Sequence, residues 1–198
     1  MKVLADDHSQ IADSQLVKQC QLGDPSSFRL LYQRYHQKVR ATLYKLCGSE
    51  LLDDLQQEVF LKAWKSLAQL RNANYFSTWL YRICWNVACD QSLASKKDQK
   101  QKLAHLDRVK QSLEYDVTKS SHDGQKGLNR LHYQDLVTKA LQHLSLDHRV
   151  VIVLHDLEDL QQKEVADILS IPIGTVKSRL FQARKNLRNY LEQEGITL

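Results

Sequence analysis

The chain has 198 residues, a formal net charge of +5, and only six Gly and two Pro. Leu, Lys, Gln and Ala dominate, which favours long helices over a strand-and-turn architecture and suits two compact all-α modules. Met1–Gln10 is polar and the longest apolar run, Val150–Leu154, is far too short for a membrane span, so neither export nor membrane insertion is expected and a cytoplasmic location follows.

In chain order, a short amphipathic stretch at Ser14–Leu22 comes first. Asp24-Pro25 then signals a helix start, a capping carboxylate followed by proline at the first helical position, and Gly48 supplies the stop. Between them Phe28, Leu31, Tyr35, Val39, Leu43 and Leu46 recur at three and four residues and predict one apolar stripe. Leu52, Leu55, Val59, Ala63 and Leu67 repeat the pattern, with Phe60 and Trp64 widening the face. A third helix is expected from about Ser77, carrying Leu80, Ile83, Val87 and Ala88. These elements predict a bundle over residues 10–92. From 93 to 127 the sequence turns polar, with Lys96-Lys97, Ser120-Ser121, Gly124 and Gly127, and reads as a flexible linker. Periodicity returns from Leu128, and a second bundle of four helices is expected over 128–194.

Within that second bundle, Gln162–Leu180 has the layout of a helix-turn-helix: small Ala166 on a first helix, a break at Ser170-Ile171-Pro172, and a second helix from about Thr175. Val176, Leu180, Ala183 and Leu187 form its buried stripe, which leaves Lys177, Ser178, Phe181 and Gln182 facing outward. A solvated face rarely spends a Phe, whereas a DNA-reading face can set one against a thymine methyl while Lys and Gln bond base edges. Gly174 and Thr175 lie where a helix N-terminus favours phosphate, and Arg179, Arg184 and Lys185 can reach flanking phosphates. No acidic residue occurs between Ser170 and Leu191, whereas Asp53, Asp54 and Glu58 gather in the first half, so two different partners are implied.

The run IPIGTVKSRL at 171–180, followed by Ala183-Arg184, closely resembles region 4 of extracytoplasmic-function sigma factors of the sigma-70 family. That resemblance implies that the helix beginning at Gly174 reads a promoter's minus 35 element. Asp53–Trp64, DDLQQEVFLKAW, is similar to the region 2 helix that docks on polymerase, and implies Asp54, Gln57 and Glu58 as contacts to the beta-prime clamp helices. The segment FSTWLYRI at 76–83 looks like the part of region 2 that recognises and melts the minus 10 element. On the residues themselves, Thr78, Arg82, Asn86 and Asp90 recur every four positions as a polar stripe, and Tyr75, Phe76 and Trp79 offer rings for unpaired bases. The preceding loop, with Arg71 and Asn72, is expected to pocket a base turned out of the duplex.

The resemblance implies core RNA polymerase (clamp helices and beta flap), promoter DNA and an anti-sigma factor as partners. Its departures are Ser170 and Asp159 where Gly is usual, Gln161 for Ser or Thr, and Asn72 for Gly. The alternative is an autonomous helix-turn-helix regulator that dimerises through its N-terminal bundle. An enzyme is not expected, since no phosphate loop and no paired nucleophile and base are legible. No cofactor or metal is expected either: Cys20, Cys47, Cys84 and Cys89 form no CxxC pair and lack zinc-ligand spacing, and read as reduced thiols.

Overall fold

The computed structural model describes residues 11–109 and 129–196, with side chains placed for 11–97 and 136–196. Among the described residues every regular element is helical: α1 (Asp13–Gln21), α2 (Pro25–Cys47), α3 (Leu52–Ser66), α4 (Phe76–Val109), α5 (Asn129–His143), α6 (Leu146–Ile152), α7 (Gln162–Leu169) and α8 (Ile173–Gln193). They form two helical domains.

Local chemistry sets the ends of α2. The Asp24 carboxylate accepts from the Ser26 N–H at 2.9 Å and the Ser27 hydroxyl at 2.7 Å, satisfying a donor that the first turn leaves open. Gly48 closes the helix with φ +85°, a left-handed conformation that favours glycine, and a Cβ there would meet only the mobile end of the Gln142 side chain, at 2.8 Å. The apolar stripes of α1 to α4 then merge: Leu16, Leu31, Leu43, Val59, Phe76 and Leu80 are all buried in the first core. Asp13 receives hydrogen bonds from Arg34 and from the Tyr35 hydroxyl, tying α1 to α2.

Where the sequence predicts a linker from 93, α4 instead continues as helix to Val109. The segment Lys96–Leu103 is made of Lys, Gln, Asp and Leu without Gly or Pro, and extending an existing helix adds one hydrogen bond per residue fixed with no new nucleation cost. At its start, where Leu93 is exposed, propensity and not packing carries this extension. The remainder of the expected linker, residues 110–127, lies outside the described residues.

In the second domain the Ser145 hydroxyl caps α6, which runs on as one π-helical turn over Val153–Leu157. Val150, Val151, Leu154, Val165, Ile168, Val176, Leu180 and Ala183 build its core. Three residues of the first bundle, Leu46, Tyr81 and Ala88, are buried in that same core, so the two domains pack against each other.

Candidate nucleic-acid and polymerase interfaces

The expected helix-turn-helix is present as α7 and α8. Glu164 turns back to accept the Gln161 N–H at 2.9 Å, satisfying a donor at the helix start that is independent of the side chain at 161. Ser170 ends α7 at φ +55° and Asp159 precedes it at φ +54°. Two of the three positions where this sequence departs from glycine, Ser170 and Asp159, therefore lie in left-handed backbone, which glycine adopts without strain, whereas the third, Asn72, is extended at φ −123°. Pro172 precedes α8, and its carbonyl accepts from Thr175 and Val176.

On α8, Val176, Leu180 and Ala183 are buried, while Phe181 is 73% exposed. Lys177, Phe181, Arg184, Lys185 and Arg188 line an open groove of about 380 Å³ along this face. Lys177 and Lys185 are exposed, as are Gly174, Ser178 and Gln182. The Ser178 hydroxyl donates to the Thr175 carbonyl, and Gln182 donates to Asn186 at 2.9 Å. Two of the expected phosphate contacts are already engaged. Arg184 holds Asp156 through two hydrogen bonds of 3.0 and 2.6 Å, and that partner raises its pKa. Arg179 lies 3.2 Å from Asp147.

The N-terminal half of α4 separates its expected contacts into two groups. Arg71, Asn72 and Tyr75 are exposed, as are Arg82, Asn86 and Asp90 on the helix. The Asn72 side-chain amide oxygen accepts from the Asn74 N–H at 3.1 Å, shaping the loop, and Gln21 anchors the same loop by donating to the Leu67 and Leu70 backbone carbonyls. Phe76 corrects the sequence reading. It is 1% exposed, with its ring 5.3 Å from Tyr35 and 5.8 Å from a half-buried Trp79, and so belongs to the core instead of a base-stacking surface. Thr78 is also buried: the four-residue repeat drifts around the helix, turning its first member inward. Trp85 is half-buried against the second domain's core.

On α3, Asp54 and Gln57 are exposed, and Glu58 pairs with Lys62, which also reaches Asp90 at 3.2 Å. Gln56 is instead structural, donating to the His36 carbonyl at 2.9 Å. Beside this polar row runs an open groove of about 500 Å³ lined by Phe28, Tyr32, Phe60, Leu61 and Trp64. Phe28 meets Trp64 edge-on at 4.8 Å and Tyr32 meets Phe60 at 4.6 Å. Trp64 is 46% exposed and Tyr32 41%; the sequence reading assigns Phe28, Phe60 and Trp64 only to the bundle core and gives Tyr32 no role. The one available signal is the pair of four-residue aromatic spacings, 28/32 and 60/64, on facing helices.

Burial raises the Cys20 and Cys47 thiols to about 11 and pushes Cys84 and Cys89 up as well, which keeps all four protonated at neutral pH. Among the described residues no three His, Cys, Asp or Glu side chains come together as a metal-binding group, and no helix is long and apolar enough to cross a membrane.

Two helical domains, one ending in a cationic helix-turn-helix and the other presenting an acidic-aromatic face and a half-exposed aromatic loop, define a class of multi-contact DNA-directing protein. Family models agree: "Sigma-70 region 2" matches residues 31–97 and "Sigma-70, region 4" matches 134–187. An ECF RNA polymerase sigma-E factor of Haemophilus influenzae is 33% identical over 92% of this chain and 97% of its own length. The Escherichia coli sigma-E factor is 30% identical over 92% and 96%. Among solved structures, CnrH in complex with the cytosolic domain of CnrY matches 92% of this chain and 99% of its own at TM-score 0.67 and 22% identity, which speaks to the fold. The sigma factor RpoE of Bartonella quintana, bound to the anti-sigma factor NepR, matches 83% and 96% at TM-score 0.61 and 25% identity. The chain belongs to the extracytoplasmic-function sigma factors of the sigma-70 family, alternative sigma factors that direct RNA polymerase to initiate transcription at particular promoters.

Proposed function

We propose that the first domain (10–92) binds polymerase and opens the minus 10 element while the second (128–194) reads the minus 35 element, with 93–127 joining them. Asp54, Gln57 and Glu58 meet the beta-prime clamp helices, with the aromatic groove beside them supplying apolar area. Gly174, Thr175, Lys177, Ser178, Phe181 and Gln182 enter the major groove, and Arg179, Arg184 and Lys185 hold its phosphates. The single observation that carries this reading is Phe181, exposed at the centre of a cationic helix face where no fold requirement places it.

Strand opening rests on Arg71, Asn72, Tyr75, Trp79, Arg82, Asn86 and Asp90. A protein that melts DNA without nucleotide hydrolysis must bind the open strand better than the duplex, because a ligand shifts an equilibrium only by its differential affinity. Stacking contributes about 1–3 kcal/mol per base, so the exposed Tyr75 and the half-exposed Trp79 offset part of the unstacking of a few base steps, and polymerase contacts supply the rest. The chain itself carries no chemistry: it acts as a non-enzymatic subunit in the cytoplasm, and an anti-sigma factor, as in the Bartonella quintana complex, is its expected antagonist.

In vitro transcription with core polymerase on fragmented genomic DNA tests this. Discrete start sites should appear only when the chain is added. Equal initiation without it, or tight palindromic binding by the chain alone, would favour an autonomous regulator.

A further inference from the structure

Packing explains one face of α1 and leaves the edge beside the strand-opening loop unexplained. Leu16, Val17 and Cys20 are buried and account for the place of α1 in the first core. Lys18 and Gln21 are exposed, and Leu22, in the turn to α2, is 89% exposed, the most of any large apolar side chain among the described residues. Gly23, at φ +97°, already supplies the chain reversal, so the turn does not require Leu at position 22.

The two ends of α1 fix its register against the loop. At the C-terminal end the Gln21 amide donates to the Leu67 carbonyl at 3.0 Å and to the Leu70 carbonyl at 2.9 Å. At the N-terminal end Asp13 accepts from the Tyr35 hydroxyl, and the Tyr35 ring lies 5.3 Å from that of Phe76. Between these points α1 packs along both 3-10 turns that bound the loop, Leu67–Gln69 and Ala73–Tyr75. Lys18 precedes Gln21 by three residues, on the same side of the helix, and so stands level with Arg71 to Tyr75. The carboxylates of this segment are taken up within the fold: Asp13 by Arg34 and Tyr35, Asp24 by the Ser26 N–H and the Ser27 hydroxyl. Lys18 and Arg71 remain as exposed cations, one on each side of the same edge.

We infer that α1 is the second wall of the strand-opening site: Lys18 holds a phosphate of the unpaired strand, and Leu22 packs against a base where that strand leaves the loop. The inference rests on the minus 10 assignment of Arg71, Asn72 and Tyr75. A cation and an apolar side chain one helical turn apart suit the alternation of phosphate and base along a single strand, whose grip combines backbone charge with contacts to base faces. Lys serves as a mobile point charge and needs no fixed register on the phosphate. A stacked duplex offers Leu22 no base face, so its contact forms only once the pair is open, which is the differential affinity that opening requires.

The test uses holoenzyme reconstituted from core polymerase and the full chain on one promoter mapped by run-off transcription. Wild type is compared with Lys18→Ala, Leu22→Ser, Tyr75→Ala and, on another side of α1, Gln15→Ala. Lys18→Ala should lower the slope of log K against log salt for open complexes by about 0.7, the loss of one single-strand phosphate contact. Leu22→Ser should shorten the open-complex lifetime roughly fivefold, the scale of a partly buried apolar side chain. Gln15→Ala should change neither. All four side chains are exposed, so thermal unfolding should coincide with wild type. Unchanged slope and lifetime in the Lys18 and Leu22 variants, with Tyr75→Ala still impairing opening, overturns the second wall and leaves the loop assignment standing. If Tyr75→Ala is silent as well, the minus 10 reading falls and the wall with it. Weaker binding of core polymerase by Lys18→Ala or Leu22→Ser makes α1 a polymerase contact instead, and likewise overturns the inference.

Discussion

Tyr75 and Phe76 are neighbours with opposite duties. Phe76 is enclosed by Tyr35 and Trp79 in the first core, whereas Tyr75 is 57% exposed. Phe76→Ala should therefore cost about 3–5 kcal/mol in chemical denaturation. Tyr75→Ala should leave stability within about 0.5 kcal/mol and instead weaken promoter opening, read by permanganate reactivity of unpaired thymines. On α8, Lys177→Ala, Phe181→Ala or Gln182→Ala should each cost about 1–3 kcal/mol against the preferred minus 35 sequence and relax discrimination at one position. Arg184 gives a sharper test because Asp156 already occupies it. Asp156→Asn should release the guanidinium to phosphate, tightening holoenzyme binding and steepening the slope of log K against log salt by about one, measured by filter binding. The outward row Lys177, Phe181 and Gln182 was legible in the sequence because burial of Val176, Leu180 and Ala183 leaves it no other direction. Phe76 was not, because an aromatic at a helix start satisfies a core and a stacking site equally well on spacing alone.

At the scale of elements, helix termini were the most readable features, since a cap and its partners are sequence neighbours. Asp24 shows this, and its carboxyl is held below the usual range, first by the Ser27 hydroxyl and then by the Ser26 N–H. A carboxylate whose folded pKa is depressed contributes stability that is present above its unfolded pKa and is lost as pH falls through the folded value. Asp24→Ala should thus lower the melting temperature at pH 7 and narrow the gap from wild type as pH falls below about 4, followed by thermal scans. Ser170 makes the converse point: its left-handed φ of +55° costs about 1 kcal/mol that glycine would not incur. Ser170→Gly should raise the thermal midpoint by a few degrees while leaving the minus 35 preference unchanged. The extension of α4 through Lys96-Lys97 escaped the sequence reading because a polar run without apolar period looks the same as linker; only its attachment to a packed helix lets propensity decide.

For the whole molecule, the two domains and their order could be read from periodicity and motif, but their mutual packing could not. Lys45 and Glu158 lie 113 positions apart and Arg149 and Leu46 lie 103 apart, and no local pattern announces such pairings. The same holds for the aromatic groove of Phe28, Tyr32 and Trp64, whose exposure depends on how α2 and α3 are spaced. Taken together, the surfaces describe a protein whose DNA-reading elements are individually small: one helix face, and one loop with a single well-exposed ring. Neither provides the area or charge of an autonomous operator-binding dimer, so selective promoter binding should arise only on polymerase. DNase footprinting on one mapped promoter, with the chain alone, core polymerase alone, and both together, measures this dependence directly. Protection spanning both promoter elements is expected from the mixture and from neither component by itself; an equivalent footprint from the chain alone would contradict it.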